Sequence, residues 1–132
     1  MRAQHPNLFP VLLYLELKLD NPARLAAELH AAGFNNRVET TADRAVKALQ
    51  TSFFFAVVVA VDLTNEKSLA TLRMLRRKAH RSWLIVAAPQ CDAHTCDLIH
   101  RQGGDACIPL PISSDDLIAR LDAFQSRERP SF

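Results

Sequence analysis

The chain has 132 residues, of which 48% are hydrophobic and 23% charged, with a formal net charge of +2. This is the composition of a soluble globular domain and excludes a disordered or collagen-like chain, while the length is that of one domain with one core. The longest uninterrupted apolar run, Phe53 to Val61, is less than half of the roughly 20 residues a membrane helix needs. The patch "LFPVLLYLEL" is broken by Pro10 and Glu16, so neither a membrane span nor a signal peptide is expected. Three cysteines, Cys91, Cys96 and Cys107, fall in the last third. An odd number argues against a paired disulfide framework and for a reducing compartment, so the expected location is the cytoplasm.

From the N-terminus, a β-rich run "VLLYLEL" (11–17) precedes "DNPARLAAELHAAGF". There Asn21 and Pro22 start a helix, Leu25 and Leu29 share a face, and Gly33 stops it. The unit then recurs: "NRVETT" with "ADRAVKALQ", "FFAVVVAV" with "NEKSLATLRMLRRK", and "WLIVAAP" with "AHTCDLIHRQ" closed by Gly103 and Gly104. The last unit is "DACIPLP" with "SSDDLIARLDAFQ", whose helix opens with Ser113 placed to cap the amide of Asp116 and with acidic residues where the helix dipole favours them. Only the ends, "MRAQHPN" and "SRERPSF", read as tails, so the expectation is a single domain over residues 1–132 with its core at about 9–126.

Strands alternating with helices predict a parallel sheet covered by helices on both faces. The third and fourth strands are continuously apolar and belong in the middle. Pro109 in the fifth strand cannot donate to a ladder and belongs at an edge, and the polar second strand suits the other edge. The order 2-1-3-4-5 satisfies both, giving an α/β fold of flavodoxin-like type: five βα units in a three-layer sandwich. In such sheets the residues beyond the carboxyl ends of the strands are the ones placed to bind or react.

With length, unit order and local patterns in view, the chain resembles the receiver domain of bacterial two-component response regulators over about residues 9–126. "AELHAAGF" resembles the end of that family's first helix, and "RQGGDACIPLPI" its glycine-containing turn, fifth strand and a residue followed by proline. The resemblance implies an acidic pair after strand 1 for a divalent cation, an aspartate ending strand 3 as phosphoacceptor, a hydroxyl after strand 4 and a lysine after strand 5. A hard cation wants carboxylate oxygens, and the charge of an acyl phosphate wants cations and donors around it.

Counting back from Gly33 places Glu16 and Leu17 on the acidic pair. Counting back from Leu69, Leu72 and Leu75 places Ala60 at the acceptor position. Counting from Gly103 places Ala88 at the hydroxyl and Leu110 at the lysine, with Pro111 following. Nucleophile, hydroxyl, lysine and one carboxylate are missing together, so the chain reads as a degenerate receiver, a pseudo-receiver with no enzymatic activity. Asp62 is the alternative acceptor if the loop before the third helix is two residues short. Its other role is a turn-forming residue in "DLTNEKS". A further alternative is a small-molecule sensor whose ligand occupies an apolar pocket lined by Leu17, Ala60, Ala88 and Leu110.

Other constellations are weaker. Cys91, His94, Cys96 and His100 invite a zinc reading, but at about 100° per residue Cys96 and His100 fall near one helix face and Cys91 and His94 on the opposite one. No metal is expected, with Cys96 a small core residue and the histidines surface residues. The basic run "RMLRRKAHR" complements a helix carboxyl end, and the small net charge gives no nucleic-acid expectation. "KLDNP" lacks the glycines and hydroxyls of a flavin-phosphate cradle, and the Asp-x-His-x-x-Gly pattern of a cobalamin domain is absent, so no cofactor is expected.

What the resemblance leaves is a protein–protein interaction module in bacterial signal transduction or the positioning of a cellular machine. Its partner, another protein or a second copy, is expected on the fourth helix, fifth strand and fifth helix. The candidate residues there are His100, Arg101, Cys107, Pro109, Asp116 and Arg120.

Overall fold

A computed structural model describes residues 9–127. Ten elements alternate: β1 (Val11–Leu15), α1 (Pro22–Ala31), β2 (Asn36–Glu39), α2 (Ala42–Thr51), β3 (Ala56–Ala60), α3 (Glu66–Lys78), β4 (Trp83–Ala88), α4 (Ala93–Arg101), β5 (Ala106–Pro109) and α5 (Ser114–Gln125). The five strands form one sheet in the order β2-β1-β3-β4-β5, and every neighbouring pair is parallel. The expected order is thus observed, with Pro109 closing the edge strand β5 and Asn36 and Arg37 on the opposite edge strand β2.

Why this sheet is covered on both sides follows from its three central strands, in which every residue of β1, β3 and β4 is buried. Successive side chains point to opposite faces of a strand. Leu13, Val58 and Ile85 therefore join Leu25 and Leu29 of α1 and Leu117, Leu121 and Phe124 of α5 in one apolar layer. Leu12, Val57, Val59, Leu84 and Val86 join Ala45 and Ala48 of α2, Leu72 and Leu75 of α3 and Ile99 of α4 in the other. Each leucine or valine so buried contributes on the order of 2 kcal/mol. Trp83 stacks flat on Phe124 with ring centroids 4.0 Å apart, joining the start of β4 to the end of α5.

Every helix begins on a side chain that accepts from its first turn: Asn21, Thr41, Asn65, Asp92 and Ser113. These acceptors satisfy amides that the helix itself leaves unpaired. Gly33 ends the α1 turn at φ 96°. Gly103 ends α4 at φ 100°, and a Cβ there would lie 2.5 Å from Cγ of Arg76, so the turn admits only glycine. The strands are shorter than the apolar runs: β1 stops at Leu15 rather than residue 17, and Phe54 and Phe55 lie before β3, with the Phe55 amide donating to the Pro10 carbonyl.

Two expectations about cysteines are corrected. Cys91 and Cys107 are bonded to each other, with Cα atoms 6.0 Å apart, against the expectation of no paired disulfide. The reason is the register: Val86 faces Cys107 across β4 and β5, so the loop leaving β4 passes beside Cys107. An odd count leaves one cysteine over without forbidding one bond, and that one, Cys96, is exposed rather than a small core residue. The basic run does lie at the carboxyl end of α3, and Arg76 in it has a further role. Its guanidinium donates to the carbonyls of Ala79, Ser82 (2.7 Å) and Gly103 (3.2 Å) and pairs with Asp105 at 3.2 Å, tying the end of α3 to the turn before β5. Among the described residues no helix is long and apolar enough to cross a membrane.

Candidate functional site

The loops beyond the carboxyl ends of β1, β3, β4 and β5 gather the residues that the sequence singles out. Glu16 follows β1 immediately, and its carboxylate is held from two sides. The Tyr14 hydroxyl donates to Oε2 at 2.9 Å and the Ser68 hydroxyl to Oε1 at 2.5 Å. Tyr14 and Ser68 are 1% and 4% exposed, so both hydroxyls need a partner and Glu16 is that partner. Burial first, and then the bond and the charge of Glu16, push the Tyr14 phenol well above its ordinary range. Neither Tyr14 nor Ser68 is signalled in the sequence, since the contact between α3 and the β1 loop spans 52 positions.

Leu17 turns the other way, its amide donating to the Ala60 carbonyl at 2.9 Å. Ala60 ends β3 between Leu15 and Ala87 and is fully buried in the layer shared with α1 and α5. Ala88 ends β4 fully buried in the opposite layer, and its carbonyl accepts from the Leu110 amide at 2.7 Å. Leu110 precedes Pro111 across a cis peptide bond.

Asp62 lies two residues beyond β3, exposed. Its Oδ1 accepts from the Thr64 amide at 2.9 Å and the Thr64 hydroxyl at 2.6 Å, and its carbonyl accepts from Asn65, the cap of α3. The Thr64 hydroxyl, and after it the Thr64 amide, hold the Asp62 carboxyl below the usual carboxylate range. This is an Asx-type turn that hands the chain into α3.

A cleft of about 840 Å³ opens between the loop after β1 and the loop after β5. It is bordered by Leu17, Lys18, Leu25, Leu110 and Ile112, with Arg24 and Glu28 also along it. The expected pocket is corrected in this respect: Leu17 and Leu110 border the cleft, whereas Ala60 and Ala88 are 0% exposed and lie beneath the surface. Arg24 is paired with Glu28 at 3.1 Å, and the Ser114 hydroxyl donates to the same carboxylate at 2.8 Å, so α1 and α5 meet across the floor. For a divalent cation the loops after β1 and β3 carry Glu16, already engaged by two hydroxyls, Asp62, engaged by Thr64, and Asp20, but among the described residues no group of three or more His, Cys, Asp and Glu is placed to hold a metal ion. The donor set does not fit such an ion.

The residues of the expected partner face sit on three adjoining elements. His100 and Arg101 are exposed in the last turn of α4, Arg101 paired with Asp97. Cys107 is half-buried in β5, and Pro109 is exposed at its end. Asp116 and Arg120 are exposed along α5. The large exposed hydrophobic residues, Phe9, Val38 and Phe53, lie elsewhere, near the start of β1, on the β2 edge and before β3.

No protein-family model and no curated protein matches the sequence. Solved structures do match the fold. A response regulator from Thermotoga maritima superposes with a TM-score of 0.77 at 22% identity, over 91% of this chain and 100% of that one. A putative pilus assembly-related protein from Burkholderia pseudomallei has a TM-score of 0.74 at 16% identity, over 98% and 100%. An orphan response regulator of H. pylori has a TM-score of 0.72 at 19% identity, over 89% and 96%. The sheet order, the helices on both faces and these superpositions together establish that the chain has the receiver fold of response regulators.

Proposed function

We propose that the chain is a pseudo-receiver: a receiver-fold interaction module of bacterial signal transduction, located in the cytoplasm, whose contacts with a protein partner do not depend on phosphorylation. One observation carries the reading. The carboxylate that follows β1, Glu16, accepts from the Tyr14 and Ser68 hydroxyls, while the side chains of Leu17, Ala60, Ala88 and Leu110 supply no oxygen or amine for a cation or a phosphoryl group. Phosphoryl transfer relies on positioned charge, and these positions supply none. Asp62 has its carboxylate committed to Thr64 and no lysine among its bonded partners.

The partner surface in this reading is α4, β5 and α5, with His100, Arg101, Cys107, Pro109, Asp116 and Arg120 as contacts. Its occupant is another protein or a second copy of the chain. These residues are mainly polar or charged, which suits a reversible contact rather than an obligate interface. That one neighbour in fold is described as pilus assembly-related supports a role in positioning a cellular machine.

Amide NMR spectra with and without magnesium, and then with beryllofluoride, test the reading. No response around Asp62 and Glu16 is expected. Shifts around Asp62 that disappear in Asp62→Asn would overturn it in favour of a conventional phosphoacceptor. The mass in solution, measured by light scattering, separates self-association from a foreign partner. The cleft beside Leu17 and Leu110 favours one second reading, a small-molecule sensor. Shifts confined to Leu17, Lys18 and Leu110 on adding a metabolite mixture would support it.

A further inference from the structure

We propose that Cys91 and Cys107 form a reversible redox switch that fastens α4 to the sheet, with a low-molecular-weight disulfide as the oxidant and its thiol as the reductant. The bond joins the loop after β4 to the edge strand β5 across 16 positions, and the segment it closes contains the whole of α4. Neither cysteine is fully buried, and both lie at the edge of the sheet, where local opening brings their sulfurs within reach of a small reagent.

Apart from its C-terminal end, where Arg73 donates to the Gln102 side chain and Arg76 to the Gly103 carbonyl, the helix inside this loop buries little. Ile99 is the one buried residue of α4, whereas α5 buries Leu117, Leu121 and Phe124 and α3 buries Ser68, Leu72 and Leu75. Its first turn rests on the Asp92 carboxylate, which accepts from the Thr95 amide at 2.8 Å in an exposed position. An element with so little apolar burial opens locally at low free energy. Closing the loop covalently removes much of the freedom the opened segment would gain, so oxidation suppresses that opening.

The chemistry balances. One of the two thiolates attacks a sulfur of the small disulfide, forming a mixed disulfide and releasing one small thiolate, which takes up a proton. The second cysteine, as thiolate, attacks the protein sulfur of the mixed disulfide and releases the other small thiol. Overall two protein thiols and one small disulfide give the Cys91–Cys107 bond and two small thiols, with two electrons passing to the small disulfide. The reverse exchange opens the bond in a reducing compartment, where protein disulfides are mostly transient and redox-sensing. This last clause rests on the cytoplasmic reading above; the exchange itself does not.

Cys96 is a bystander in this scheme. It is exposed on the first turn of α4, with its sulfur 3.5 Å from the Cys91 carbonyl oxygen.

The experiment equilibrates the full chain in graded ratios of reduced and oxidised glutathione, quenches by alkylation and maps the peptides by mass spectrometry. Hydrogen exchange is followed on the same samples. A two-electron transition is expected in which the Cys91–Cys107 cross-link appears, Cys96 stays alkylatable, and the α4 amides exchange roughly 100-fold more slowly when oxidised, the factor expected for closing a loop of this size. Cys96→Ser is expected to leave the transition in place.

Failure of the cross-link at every ratio, cross-links that use Cys96 equally, or unchanged exchange in α4 would each overturn the proposal. The comparison is between two redox states of one unmutated protein, so it does not depend on whether a cysteine variant folds. It is read without any partner, so its failure is separate from failure of the interaction-module reading.

Discussion

The two halves of the sheet's carboxyl edge differ in how their polar groups are used. Beyond β1 and β3 the groups are closed on themselves: Tyr14 and Ser68 hold Glu16, and Thr64 holds Asp62. Beyond β4 and β5 the loops instead carry the Cys91–Cys107 bond and enclose α4, whose buried anchor is Ile99, and the open cleft is shared between the loop after β5 and the loop after β1. In one half the carboxylates are engaged by hydrogen bonds within the scaffold. The other keeps reachable groups on weakly held backbone, and weakly held elements are the ones that regulated contacts recruit. The difference teaches that one sheet edge can tie its carboxylates into the scaffold at one end while leaving polar groups exposed on a lightly anchored helix at the other.

The largest effect is expected where the β1–β3 half is made to carry a buried charge. Ala60 is fully buried in the layer shared with α1 and α5, so Ala60→Asp places a carboxylate without a partner in an apolar layer. A loss of about 3–5 kcal/mol is expected in urea unfolding. Little or no loss would mean that a solvated acidic cleft already exists there, and the two halves would not differ as described.

Next is the triad that closes the β1 loop. Ser68→Ala removes a donor to a carboxylate and is expected to cost about 1–2 kcal/mol. In a Glu16→Ala background the same change is expected to cost distinctly less, because the two side chains act as one unit. Additive losses in that double-mutant cycle would show that Ser68 matters through packing alone.

The third effect is confined to alkaline pH. The folded protein raises the Tyr14 phenol above its ordinary value through burial and Glu16, whereas the unfolded chain releases that proton near pH 10. With the folded value the higher of the two, the stabilisation is fully present below about pH 10 and is lost as pH rises beyond it. Urea midpoints between pH 8 and 11 (roughly the range set by that pKa) are expected to fall for the native chain and to flatten in Tyr14→Phe.

The legible part of this fold is the part that repeats. Val57 to Val61, Trp83 to Ala88 and the leucine pairs of α1, α3 and α5 announce buried strands and one-sided helices, and Pro109 alone puts β5 at an edge. What is not legible depends on register between distant elements. Cys91 meets Cys107 only because Val86 lies opposite Cys107, and Ser68 meets Glu16 across 52 positions. The expected pocket was partly misdrawn for a related reason. Counting along strands identifies which residues end them but not which face each one takes, so Leu17 and Leu110 reach the cleft while Ala60 and Ala88 stay beneath it. Arg76 shows the same limit, since its carbonyl partners lie in turns whose geometry no local pattern encodes.

The smallest effect is the most discriminating, because only its sign matters. In a working acidic site, neighbouring carboxylates repel one another, and neutralising one relieves the strain and stabilises the fold. Asp62 is placed otherwise. It is exposed, and the Thr64 hydroxyl and amide lower its carboxyl below the ordinary range. A lowered folded value means that the charge contributes stability above the ordinary carboxylate pKa of about 3.9, and that this contribution is lost as pH falls through the lower folded value. Asp62→Asn keeps an acceptor for the turn but removes the charge, so a small loss in melting temperature is expected at neutral pH and none once the native carboxyl is itself protonated in strong acid. A gain at neutral pH would place Asp62 among repelling carboxylates, and the half of the sheet whose carboxylates close on the scaffold would have to be counted as an acidic site.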